Sequence, residues 1–419
     1  MRDYLAYDSV SHIGVSQQMP ACSTYFSLSP TIPMKLSFWS PLIRSFALRA
    51  GVIMMSLSLG FAHAATIDVW FGTSTPRNGM SKGIYHAAFD TETGKLRGVE
   101  LAAEISGPGF LAKHPSGKML YAAASDGGQP SIVAYRIEGG DGKAKLVKDG
   151  SVPIGDGGAA HVSVSRDGKA VLSAQYGAGS TACFSLDESG SLIERTDLQE
   201  HPVGSGVIAG RQDKAHAHWT GTSPDDRFAF VPDLGMDKVV IYEIDTDNAS
   251  LTPHGYGVCP PGGGPRHMKF HPNGKLVYVL NELALSVTVF DYDSEAGTMD
   301  AIQTIETLPE SVKAKEVFNS SSEICVHPSG KFVYAANRGN DTITAYSVDE
   351  STGKLALIEV EPIRGAWPRN FNLDPTGRWL LAAGQNTNSI SIFKVNQDTG
   401  ELQFTKDAVY VPQSICILF

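Results

Sequence analysis

One turn signature recurs along the chain and fixes most of what it can fold into. It reads HPSGK at 114–118, SRDGK at 165–169, SPDDR at 223–227, HPNGK at 271–275, HPSGK at 327–331 and DPTGR at 374–378. The spacing is roughly 50 residues, as the blades of a propeller require. Each turn is followed by an apolar run such as KLVYVL or KFVYAA, then by an alternating run such as SVTVFDYD, TITAYSVD or SISIFKVN. Short runs with period-two alternation, bounded by turn residues, are β-strands.

A second marker repeats independently where each blade's third strand turns into its outermost one. It ends at Leu96, Leu146, Leu192, Leu251, Met299, Leu355 and Leu402, which makes seven blades. The turn signature occurs only six times because the seventh inner strand is the end of the chain, Ser414 to Phe419, with no turn after it. That strand is expected to complete the blade whose other strands run from Thr66 to about Leu101. The predicted fold is therefore all-β: a single seven-bladed β-propeller over residues 65–419, with the C-terminal strand completing the N-terminal blade. Such closure removes open sheet edges. The 43 Gly and 23 Pro suit many short strands joined by tight turns. No helix of consequence is expected after residue 65, and 309–319, PESVKAKEVFN, reads as a long functional loop or a single turn.

The first 64 residues read differently. Lys35, Arg44 and Arg49 precede an apolar run from Ala50 to Phe61, and Ala62-His63-Ala64 is a small-x-small cleavage site before Ala65. The reading is a secretory signal peptide with translation starting at Met34, and a mature protein that is exported, periplasmic or extracellular. The alternative is a retained membrane anchor, but the apolar run is short for a span of about 20 residues, and no membrane association of the mature form is expected. Cys22 falls in this segment. Cys183, Cys259, Cys325 and Cys416 lack any CxxC or Cys/His ligand spacing and read as buried small residues, with one disulfide left open. A formal charge of −10 argues against a duplex nucleic-acid partner, whose affinity comes mainly from Lys and Arg on phosphates.

A hairpin also gives a ruler, because residues equally far before and after its turn lie side by side. With the turn Gly as zero, or Asp226 in its place, Gly109, Ala160, His218, Arg266, Ser322 and Arg369 stand eight positions before it. Ser125, Tyr176, Leu234, Glu282, Arg338 and Gln385 stand eight after. Both rings should rim one mouth of the central channel. Three guanidiniums, an imidazole and a carboxylate would then converge on a site for a small anionic molecule, since Arg forks match carboxylate or phosphate oxygens. His218, Glu282, Arg266 and Arg338 are the expected catalytic group, with Arg369, Gln385, Tyr176 and Ser322 as substrate-binding neighbours. Each has a plainer structural reading: Arg266 and Arg369 as inter-blade pairs, Arg338 as part of an NRGN turn, Glu282 as a neutraliser of arginine. His216 and His267 should point elsewhere by strand alternation, and His161 sits one position off the ring. The chain has no GxSxG, HExxH, GxxxxGK[ST] or EF-hand pattern, and GGGPR at 262–266 reads as an inter-blade loop.

GPRHMKFHPNGKLVYVLNEL, VHPSGKFVYAANRGNDTITAY and WPRNFNLDPTGRWLLAAGQNTNSISIF closely resemble the lactonase family of seven-bladed propellers, over essentially all of residues 66–419. The family includes propeller-type 6-phosphogluconolactonases and fungal carboxymuconate-lactonising enzymes. The resemblance implies lactone chemistry with no metal or other cofactor, and His218, Arg266, Glu282 and Arg338 fall on the family's proposed active-site positions. The expected activity is hydrolysis of a sugar-acid lactone bearing an anionic group. His218 or Glu282 would be the general base, Arg266 and Arg338 would hold anionic charge, and Arg369 would be an auxiliary clamp. An exported chain argues against a phosphorylated intracellular lactone. The alternatives are a carboxymuconate-type cycloisomerase and a non-catalytic exported propeller that binds a ligand or a protein.

Overall fold

The computed structural model describes residues 66–313 and 318–419. The signal peptide and the start at Met34 lie outside the described residues. The described chain forms seven four-stranded antiparallel sheets, each running from an inner strand outward. In the sheet that joins the termini, the inner strand is Ser414–Leu418, pairing with Thr66–Thr73, followed by Gly83–Asp90 and Lys95–Glu104. The chain's end completes its first blade, as the missing seventh turn signature requires. The marker residues Leu96, Leu146, Leu192, Leu251, Met299, Leu355 and Leu402 all lie in the fourth, outermost strands. The stretch 309–319 holds one helical turn, Glu310–Lys313. Among the described residues no helix is long and apolar enough to cross a membrane.

The core is not one mass but seven wedges, each filled by side chains from two consecutive blades. The strand Leu276–Asn281 shows how alternation builds them. Val277 and Val279 pack with Phe228 and Phe230 of the preceding blade. Tyr278 and Leu280, pointing the other way, pack with Ile324 and Val333 of the next. Side chains on a strand alternate between faces. A strand buried on both faces therefore reads as an unbroken apolar run, whereas the outermost strand Thr298–Glu306 mixes buried and exposed positions.

The turn signature also fastens neighbouring blades. The Nε2 atoms of His114, His271 and His327 each lie 2.9 Å from the turn-glycine carbonyl of the next blade, at Gly168, Gly330 and Gly377 respectively. Gly330 has φ +75°, and a Cβ there would stand 2.5 Å from His271 Nε2. Glycine is thus needed both for the left-handed backbone and for the approach of the imidazole. Where Asp226 replaces the glycine it also has positive φ, and its carboxylate accepts from the backbone N–H groups of Arg166 and Asp167 in the preceding blade. Cys183, Cys259, Cys325 and Cys416 are free and buried. Burial pushes the thiols of Cys183, Cys325 and Cys416 up to about 12.

Candidate active site

Five inner strands carry irregularities of register, and three of them bear on the charged side chains of the channel mouth. In Pro265–Phe270, Pro265 pairs with Asn281 and His267 with Leu280, so Arg266 is the extra residue of a bulge. In Pro368–Leu373, Arg369 is left over in the same way between Pro368 and Asn370. In Ser320–Val326 the break falls between Ser321 and Ile324, at Ser322 and Glu323. A bulge bends the strand and re-aims its side chains.

Two adjoining cavities open here. The larger, about 380 Å³, is lined by Ala160, Tyr176, Arg211, His218, Glu282, Phe318, Arg338 and Arg369. The smaller, about 160 Å³, has walls that include His218, Arg266, His267 and Arg369. His218 and Arg369 belong to both. Of the two rings found by counting from the turns, Gly109, Ala160, His218, Arg266, Arg369, Tyr176, Glu282 and Arg338 come together on these walls.

Glu282 is the hub. Its Oε2 accepts from Arg266 Nε at 2.9 Å and forms an ion pair with Arg338 Nη2 at 3.0 Å, and its Oε1 accepts from Arg211 Nη2 at 2.7 Å. Burial would raise this carboxyl, but the Arg338, Arg266 and Arg211 guanidiniums outweigh it and bring it down to about 2. Arg266 is 2% exposed and also donates to the Ser322 carbonyl. Burial and the nearby Arg338 and Arg369 charges lower it to about 9. Arg338 donates to the Ser321 carbonyl at 3.0 Å and lies 5.7 Å over the Trp367 ring. Arg369 differs: its guanidinium makes no hydrogen bond or ion pair among the described residues, and burial together with Arg338 lowers its pKa. Four guanidiniums against one carboxylate leave the mouth strongly positive on a chain of net charge −10.

His218 is 5% exposed, and its backbone N–H donates to the Pro232 carbonyl. Burial, then the Arg266, His267 and Arg369 charges, hold its imidazole well below the ordinary histidine value. Tyr176 meets it edge-on at 5.4 Å and stacks on His216 at 4.4 Å.

Two expected binding residues are not lining residues. The Ser322 hydroxyl donates to the Pro368 carbonyl at 2.5 Å and its own carbonyl is taken by Arg266, so it supports the mouth without facing it. Gln385 enters a 3-10 turn, Gln385–Thr387, which departs from the strand geometry the ruler assumes, and it lines neither cavity. His267 is a correction in the other direction: it lines the smaller cavity, because the Arg266 bulge cancels the alternation that would have turned it away. His216 supports Tyr176 from behind. His161 lies deeper, its ring 4.0 Å from that of Phe110 and 5.5 Å from that of His267.

Arg211 is new to the site. It comes from the long connection between the strands Leu192–Glu200 and Gly221–Thr222, and that unusual length was its one signal in the sequence. Phe318 comes from the 309–319 stretch already singled out. The opposite mouth of the channel holds a cavity of about 480 Å³, lined in part by Arg166, Trp219, Lys269 and Asp374, without such an arginine–histidine cluster.

The family described as "Lactonase, 7-bladed beta-propeller" matches residues 68–419. The 6-phosphogluconolactonase of Bacillus subtilis (strain 168) is 33% identical over 354 residues, covering 84% of this chain and 97% of the relative. A 6-phosphogluconolactonase of Formosa agariphila is 34% identical over 299 residues, covering 70% and 82%. Among solved structures, the Pseudomonas aeruginosa periplasmic gluconolactonase superposes with a TM-score of 0.77 at 27% identity, over 84% of this chain and 98% of that one. With register, closure and sequence in agreement along the whole described propeller, this chain belongs to the seven-bladed lactonase family.

Proposed function

We propose that this protein hydrolyses a sugar-acid lactone bearing an anionic group. The observation that carries the reading is the shared wall of the two cavities, where the unpaired guanidinium of Arg369 stands beside a neutral imidazole, His218. The lactonase relatives support the reaction class, and Arg369 supports the anionic group. In the proposed step His218 takes a proton from water as its oxygen bonds to the lactone carbonyl carbon. The resulting oxyanion is stabilised by the guanidiniums at the mouth, where exclusion of water strengthens each charge. Collapse breaks the bond from that carbon to the ring oxygen, and the imidazolium returns its proton to the departing oxygen. Glu282 is not the base in this reading: three arginines occupy it and hold its pKa at about 2. It orders the guanidiniums that meet the substrate.

Arg369 becomes the main anion clamp rather than an auxiliary one, since the other three guanidiniums are committed to Glu282. Export belongs to the same proposal, supported by the leader pattern and by the periplasmic relative. The test is proton release from gluconolactone and from its 6-phosphate. His218→Ala is expected to lower kcat about 10²- to 10⁴-fold on both. Arg369→Ala is expected to raise KM about 10- to 100-fold on the phosphorylated lactone alone. Wild-type rates in His218→Ala would end the assignment of the base.

A further inference from the structure

Behind His218 lies a buried polar chain that the proposed step does not use. His267 Nδ1 is 3.0 Å from Glu323 Oε1, and both side chains are 2% exposed. The same oxygen accepts from the Ile324 N–H at 3.1 Å, and Oε2 accepts from Asn370 Nδ2 at 2.5 Å. Asn370 is held in turn by the Ile417 N–H at 2.8 Å, from the strand that closes the ring. Lys269 Nζ lies 4.0 Å from Oε1. Burial would raise Glu323, but His267 and Lys269 bring it down to about 2.

An ionised carboxylate can only accept hydrogen bonds. His267 must therefore carry its proton on Nδ1. Burial pushes His267 down to about 4 against the pull of Glu323, so at neutral pH the ring is uncharged and Nε2 is a lone pair. That Nε2 is buried with no hydrogen-bond partner, and so is Nδ1 of His218, so as the rings stand the two atoms are not bonded to each other. The two rings stand edge to face with centroids 5.2 Å apart. Two imidazoles joined nitrogen to nitrogen need a centroid separation of about 5 Å. The two unpartnered atoms are complementary if His218 carries its proton on Nδ1 and the rings turn slightly to join them. Its Nε2 is then the lone pair presented to the cavities that His218 lines.

We propose that Glu323 and His267 are positioning residues that fix the tautomer of His218, with Glu323 setting the Nδ1–H form of His267 and His267 setting the Nδ1–H form of His218. Without them a neutral His218 is free to carry its proton on Nε2, where it cannot accept one from water. When His218 becomes an imidazolium during turnover, the chain also gives its Nδ1–H an acceptor that leads to a negative charge. The catalytic consequence rests on the reading of His218 as the base; the tautomer assignment does not.

The test is ¹⁵N-edited NMR of the histidine side chains in the full wild-type chain, alongside lactone hydrolysis. Both His267 and His218 are expected as single Nδ1–H tautomers. In Glu323→Gln, which removes the charge and keeps the shape, both tautomers of His218 are expected, with kcat about 10- to 100-fold lower and KM within about twofold. Glu323→Asp is expected to restore part of kcat and a single tautomer. Wild-type His218 found as Nε2–H overturns the proposal without any variant being needed. So does a folded Glu323→Gln protein with an unchanged His218 spectrum. If wild type hydrolyses no lactone while both histidines are Nδ1–H, the tautomer chain stands and the lactonase reading is what fails.

Discussion

His218 and Glu282 both limit this molecule on the acid side, the first in activity and the second in stability. The lowered imidazole pKa keeps His218 neutral, and able to accept a proton, well below pH 6.5. Plotted against pH, kcat/KM is expected to stay level from pH 8 past 6.5 and to fall only in more acid solution; a fall centred at 6.5 or above would contradict the burial. Glu282 acts on stability. Its folded pKa of about 2 lies below its ordinary 4.5. The native state thus binds fewer protons than the unfolded one between those values, and stability is full above about pH 4.5 and lost as pH falls toward 2. Glu282→Gln leaves three guanidiniums without a counter-charge and is expected to cost about 3 kcal/mol by urea unfolding at pH 7. It should also flatten the loss of stability between pH 4.5 and 2. Much of this site was legible in the chain because His218, Arg266, Glu282, Arg338 and Arg369 sit at a constant distance from a visible turn. Arg211 was not, because it stands in a connection outside the repeat, where no ruler applies.

At the scale of the element, the inner strand does two jobs with one residue too many. The bulge at Arg266 lets two adjacent residues, Arg266 and His267, face the same cavity. A regular strand would send them to opposite sides. A bulge adds one residue to a strand without altering its composition, so alternation alone carries no sign of it and turns His267 away from the cavity that it lines. The apolar second strands were easy to recognise, since both faces are buried in wedges. The turns between first and second strands bear load of their own. His271→Ala removes one bond between blades and is expected to lower stability by about 0.5–1.5 kcal/mol, read as a lower urea midpoint at unchanged slope. No change in midpoint would mean that solvent replaces the bond at no cost.

Over the whole molecule the ring is held shut by its last few residues. Residues 414–418 pair with Trp70–Thr73 and supply Cys416 and Ile417 to two different wedges. The backbone of Ile417 also receives Asn372 and holds Asn370. A chain ending at Gln413 exposes the strand Thr66–Thr73 as a free edge. It is expected to lose its single cooperative unfolding transition and to aggregate on purification, as followed by urea denaturation and light scattering. Retention of one wild-type transition would show that six wedges suffice. The four free thiols add a consequence of their own. Cys183, Cys325 and Cys416 lie on strands of three different blades, and Cys259 directly follows a strand of a fourth. Each is shielded from alkylating reagents until its own sector of the disc parts. The order in which a maleimide finds them would chart, sector by sector, where the circle first comes undone.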